Sequence, residues 1–171
     1  MTRAVLSCRD QDRSITMTRI RFSIATVMIA LFAGGVSADE VARDLFPVKF
    51  LDTSHEAAPQ EADHTRRVAI FTDEVAAKVK PRLVSHEDVT KACGDRQTTE
   101  CLLQLAATRE GGEAIFIVVH KTSTLILSAY ATVVDVASQE VVLSKQLSFR
   151  GDTDDALRHA GTFLGREIAK P

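Results

Sequence analysis

The sequence predicts an α/β (α+β) domain: a mixed sheet of about five strands with helices packed on it, in the order β-α-β-α-β-β-β-α. Three observations carry this. Residues 114–119 (AIFIVV) form an unbroken apolar run, as expected of a strand buried on both faces. Residues 139–150 alternate, with Val141, Leu143, Leu147 and Phe149 on one face and Ser144, Gln146, Ser148 and Arg150 on the other, which marks one covered face and one wet face. Residues 64–80 place Val68, Phe71, Val75 and Val79 at helical spacing among charged side chains.

The remaining elements follow in order. Residues 45–52 (LFPVKFLD) predict a first strand with Pro47 near its start, and the polar residues 53–63 predict a loop. Pro81 ends the first helix. Residues 82–86 predict a short second strand, followed by an acidic turn or short helix through Lys91. Thr98 or Thr99 can cap the next helix, whose stripe is Leu102, Leu103, Leu105 and Ala106 and which Gly111-Gly112 stops. Residues 124–136 are long and β-branched, and the short polar links at 121–123 and 137–138 make the last three strands consecutive antiparallel pairs. Asp152 or Thr153 caps a final helix with Leu157, Ala160, Leu164 and Ile168 inward. The two early strands, separated by a helix, can pair in parallel.

The first 38 residues read as a leader. Arg19 and Arg21 precede a charge-free apolar run, residues 22–36, and Val36-Ser37-Ala38 offers a small-residue cleavage site. At about 15 residues the run is shorter than the ~20 needed to span a bilayer, so a cleaved signal peptide is expected rather than a permanent anchor. Met17 stands just before the basic pair and can serve as the start of translation. Residues 39–171 then form one mature domain, exported to the periplasm.

From Asp39 onward 16 basic and 21 acidic side chains leave a net charge of −5, which argues against nucleic acid as a partner. Export also bears on the cysteines. Cys8 falls in the leader, so Cys93 and Cys101 remain as an even pair for an oxidising compartment and are expected to form a disulfide. Closing that loop is worth ~2.5 kcal/mol on chain-entropy grounds.

No residue pattern calls for a metal, a cofactor or a particular reaction. His55, His64, His86, His120 and His159 are scattered singly, without the spacing that sets two ligands on one turn. Asp152, Asp154 and Asp155 sit where acids favour a helix start, so their expected role is capping, at about 1 kcal/mol for Asp152→Ala. Arg150-Gly151-Asp152 spells an integrin-type tripeptide, but a glycine turn before a helix explains it.

Residues 50–54 (FLDTS), 120–127 (HKTSTLIL) and 150–154 (RGDTD) resemble an uncharacterised family of exported proteobacterial proteins, domain of unknown function 2380 or 3280. The likeness runs from about Leu45 to the C-terminus; Thr124, Asp152 and Ala156 depart from its pattern, and the cysteines lie farther apart than is usual in it. The element order is also similar to the amino-terminal domain of TolB and to outer-membrane lipoprotein domains, which implies an accessory role in envelope assemblies. If the first strand and the turn after residue 119 meet at one end of the sheet, Asp52, Ser54, Lys121 and Ser123 could line a polar patch for a partner; the plainer reading is that they fix turns. The expected function is that of a non-catalytic accessory or binding protein of the cell envelope with a protein partner, since one Tyr and no Trp leave little aromatic surface for a small-molecule pocket. The alternative is a small periplasmic hydrolase whose site is assembled from dispersed residues.

Overall fold

The computed structural model describes residues 41–56 and 60–170; the expected leader and the cut after Ala38 lie outside them. The elements are β1 (Arg43–Leu45), β2 (Lys49–Asp52), α1 (Glu61–Val79), β3 (Arg82–Leu83), α2 (His86–Cys93), α3 (Thr99–Thr108), β4 (Glu113–Lys121), β5 (Ile126–Asp135), β6 (Val141–Arg150) and α4 (Asp154–Ala169). They build a mixed α+β fold on one sheet in the order β3-β1-β4-β5-β6, with β2 also pairing β4. β1 runs parallel to β3 and β4, β2 runs parallel to β4, and β4, β5 and β6 form the antiparallel meander.

The expected first strand is two strands, and Pro47 is the reason. Leu45 pairs with Ile115 and Lys49 with Val118, so four steps along one chain face three along the other. One residue is therefore extra, as in a β-bulge. Proline has no amide hydrogen to give the ladder, so the interruption at Pro47 sacrifices no bond. Strand pairing resumes two residues later with its faces exchanged.

Helix starts differ from expectation for local reasons. α1 begins at Glu61, three residues earlier than the apolar stripe suggests, because Glu61 and Asp63 favour the positive end of the helix dipole. β3 is two residues long, because the Ser85 hydroxyl accepts from the Asp88 amide and turns the chain into α2. Of the alternative caps, Thr98 accepts from the Cys101 amide and Thr153 from the Ala156 amide.

Two apolar layers cover the sheet. On one face Phe71, Val75 and Val79 of α1 and Leu157, Ala160, Leu164 and Ile168 of α4 pack on alternate residues of β4 and β5: Ile115, Ile117 and Val119, then Leu127, Ala129, Ala131 and Val133. The two helices approach closely at Gly161 and Gly165, where an added Cβ would stand 2.7 Å from the Phe71 carbonyl oxygen and 3.1 Å from Val75 Cα. On the other face Val89 of α2 and Leu103 and Ala106 of α3 pack on Phe46, Ala114 and Val134, at one end of the sheet.

A carboxylate is buried at that end. Asp44 is 0% exposed and accepts from Arg82 Nε at 3.0 Å and Nη2 at 2.8 Å, with Arg109 Nε at 3.5 Å. This clamp joins β1, β3 and the end of α3. Cys93 and Cys101 stand in disulfide geometry between α2 and α3, Cα to Cα 5.9 Å. An intact mass two hydrogens below the reduced value is expected for the protein purified without reductant, with Cys101→Ser lowering the unfolding free energy by ~2.5 kcal/mol. Two free thiols by mass would refute the bridge.

Candidate functional site

The bulge at Pro47 decides what meets at the far end of the sheet. Counting from Leu45 without it, Asp52 would point to the open face; with the extra residue, Val48 and Phe50 turn to the α1/α4 side. Asp52 therefore stands in register beside Lys121 at the carboxyl ends of two parallel strands.

Lys121 is the centre of the cluster and is 0% exposed. Its ammonium donates to Glu56 Oε2 at 2.9 Å and Gln60 Oε1 at 2.7 Å, and lies 2.7 Å from Asp152 Oδ2 and 3.9 Å from Asp52 Oδ2. The Gln60 side-chain amide in turn donates to Glu56. Asp152 also meets Arg67 Nη1 at 2.9 Å and His64 Nε2 at 3.4 Å, and His64 lies against the Phe50 ring, centroids 4.4 Å apart. Neither Asp152 oxygen has hydrogen-bond angles, so its contacts act as charge pairs. Arg66 and Arg67 continue outward to Asp154.

Burial alone would lower the Lys121 pKa, but the Asp152 and Glu56 carboxylates outweigh that and hold it above the ordinary lysine value. At Asp52, burial opposes ionisation, and the Ser54 hydroxyl and amide, with the charges of Lys121 and His64, more than compensate and lower its pKa. The signs set two limbs of a stability profile. The Lys121 contribution is complete below the ordinary lysine value and is lost as pH rises through the raised one. The Asp52 contribution is complete above the ordinary aspartate value and is lost as pH falls through the lowered one. Urea titrations across pH should therefore show Lys121→Met flattening the alkaline decline and Asp52→Asn the acid decline.

The four residues expected to share a patch divide. Asp52, Ser54 and Lys121 come together, Ser54 donating to Asp52 Oδ1 at 2.6 Å from its hydroxyl and 2.8 Å from its amide. Ser123 does not join them; its hydroxyl oxygen accepts from the Ile126 amide at 3.2 Å in the β4–β5 turn. Lys121 lies in the interior and not on a surface patch. The expected role of Asp152 is also corrected. Thr153 caps α4, while Asp152 has a side chain 7% exposed and serves as the principal counter-charge of Lys121 and Arg67. That burial takes the Arg150-Gly151-Asp152 tripeptide out of reach of a receptor. Gly151 has φ +94, as the turn reading requires. His120 Nε2 lies 2.8 Å from Thr53 Oγ1, and His86 opens α2.

Sequence reasoning did not include Glu56, Gln60, His64 or Arg67 in the site. One signal was present: His64 lies seven residues before Phe71 and therefore continues the inward stripe of α1.

An opening lies beside this cluster. A trough of about 950 Å³ runs between α1 and the chain from Leu45 to Asp52, from Asp52, Glu61 and His64 at one end past Val68 to Leu83 and His86 at the other. Among the described residues no group of three or more His, Cys, Asp or Glu is arranged to hold a metal ion. Among the same residues no helix is long and apolar enough to cross a membrane.

Residues 41–168 match the family DUF3280, described as protein of unknown function (DUF2380). The chain belongs to this family. Solved structures similar to this DUF3280 member include lipoprotein GNA1162 from Neisseria meningitidis, 17% identical, covering 75% of this chain and 98% of that one with TM-score 0.46. The C-terminal domain of LpoB from Salmonella enterica is 13% identical, covering 63% of this chain and 82% of that one at TM-score 0.44. TolB from Acinetobacter baumannii is 12% identical at TM-score 0.45, the match covering 76% of this chain and 28% of TolB. These are likenesses of architecture. A comparison with curated proteins found no match.

Proposed function

We propose that this DUF3280 member is an exported, non-catalytic binding protein of the cell envelope, and that its partner is another protein. The leader pattern of residues 1–38 and the cysteine pair support export. One observation carries the binding reading: the charged groups close on one another while the trough beside them is largely apolar. Lys121 is spent on Glu56, Gln60 and Asp152, and Asp152 is spent on Lys121 and Arg67. The trough wall is instead built from Pro47, Val48, Phe50, Val68, Ala69 and Leu83. A catalytic pocket needs a few polar groups converging on a reacting atom, with a base poised to take a proton. Asp52, the carboxylate nearest His64 in the trough, has its pKa lowered and so is a weakened base.

The test is fractionation and crosslinking in intact cells. The expected result is a protein lacking its leader in the periplasmic fraction, with adducts to one envelope protein mapped by mass spectrometry. A cytosolic protein with an intact amino terminus would refute export. Substrate turnover by the purified domain, without a crosslinked partner, would refute the binding reading.

A further inference from the structure

The geometry points to a specific occupant for the trough: an extended segment of the partner protein, apolar in the middle and basic at its ends, added to the sheet as a strand beside β2. This rests on the binding reading above and specifies the partner's chemistry.

The sheet leaves a place for such a strand. β3 fills the position beside β1 as far as Leu83, where the Val84 amide donates to the Leu45 carbonyl at 3.0 Å and the chain turns away into α2. Beyond that point β2 is paired to β4 on one side, and among the described residues no strand pairs with its other side. An unpaired strand edge presents amides and carbonyls at a spacing that an extended polypeptide reproduces.

The far wall of the trough is the outer stripe of α1: Glu61, Thr65, Val68, Ala69, Thr72 and Asp73. From Glu61 to Asp73 a helix advances ~18 Å at 1.5 Å per residue, about the reach of six strand steps of ~3.3 Å. A strand of seven residues therefore spans the wall from one end to the other. Its first, third, fifth and seventh side chains face α1 together, because strand side chains alternate.

Charge selects what those positions carry. Asp52 and Glu61 lie at one end of the trough and Asp73 is on its wall, and none of its lining residues is Lys or Arg. The middle offers Phe50 and Val68, which accept apolar side chains. Basic residues at both ends and aliphatic ones between match this lining, and an acidic segment would be repelled.

The probe is a labelled heptapeptide, Lys-Thr-Val-Thr-Val-Thr-Lys, titrated by fluorescence anisotropy against the purified protein at low salt. It has three controls: the same peptide with glutamate for lysine, the same peptide with alternate amides N-methylated, and the protein carrying Glu61→Lys with Asp73→Lys. Both substituted positions are exposed, so the variant should fold, its thermal midpoint lowered only slightly by the charge reversed at the start of α1. Saturable binding is expected for the lysine peptide, with a loss of about tenfold or more for each control. Equal binding by the N-methylated peptide would overturn strand addition, and equal binding by the glutamate peptide or the double variant would overturn the basic specificity. No binding at millimolar probe would overturn the proposal outright. So would a concentration-dependent dimer, broken by the double variant, that forms while no probe binds, since a second copy would then own the trough. Any such failure alongside an in-cell adduct to an envelope protein leaves the broader binding reading intact.

Discussion

Lys121→Ala is expected to lower the unfolding free energy by about 3–5 kcal/mol, because it strips the counter-charge from carboxylates that are already out of water. Asp152 would keep Arg67 at 2.9 Å, but Glu56 would lose its cation, and Glu56 Oε1 already has no hydrogen-bond partner. Asp152→Ala should also cost more than the ~1 kcal/mol of a lost helix cap, whereas Thr153→Ala, at the true cap, should cost about that. The two large effects should not add, since Lys121 and Asp152 share one contact of 2.7 Å. Urea unfolding of the two single variants and the double variant measures this. A loss below ~1 kcal/mol for Lys121→Ala would mean that the cluster is hydrated and its burial contributes little.

The second large effect is expected at a glycine. Gly161→Ala should destabilise by about 1–3 kcal/mol although alanine is the better helix former by ~1 kcal/mol. The new methyl would stand 2.7 Å from the Phe71 carbonyl oxygen and 3.0 Å from Glu74 Cβ, and neither atom belongs to a side-chain end that can swing away. Helices α1 and α4 would have to separate, loosening Phe71 and Leu157 together. Gly165→Ala should cost less, its nearest neighbours lying at 3.0 and 3.1 Å. Thermal unfolding of the two variants ranks them, and a stabilised Gly161→Ala would show that the helix pair has slack.

The two predictions draw on opposite kinds of sequence information. The α1 and α4 stripes and the β4 run were legible because each depends on one period repeated within one element. Asp52 and Lys121 could be named as candidates, yet their meeting beside a buried ammonium could not be read, since it follows from a register exchanged by one proline. Asp152 was misread for a sharper reason: an acid beside a helix start has a sufficient local explanation, and nothing nearby in sequence reveals that Lys121 arrives from another strand. Ser123 shows the converse, a residue beside the site whose hydroxyl is used by its own turn. Glu56 and Gln60 belong to a segment whose composition predicts only a loop, so their role depends wholly on tertiary placement.

The Asp44 clamp imposes an order on how this chain can change. A methyl group at position 111 would fall 2.4 Å from Asp44 Oδ2 and 3.1 Å from the Ala106 carbonyl oxygen. A mutant that gains a side chain there first must expel a carboxylate still held by Arg82. A mutant that first shortens residue 44 leaves the Arg82 guanidinium without its anion and Arg109 with Asp88 alone at 4.0 Å, but then makes room at 111. The same pair of substitutions is therefore expected to have unequal intermediates, so that the history of one position decides what the other can accept.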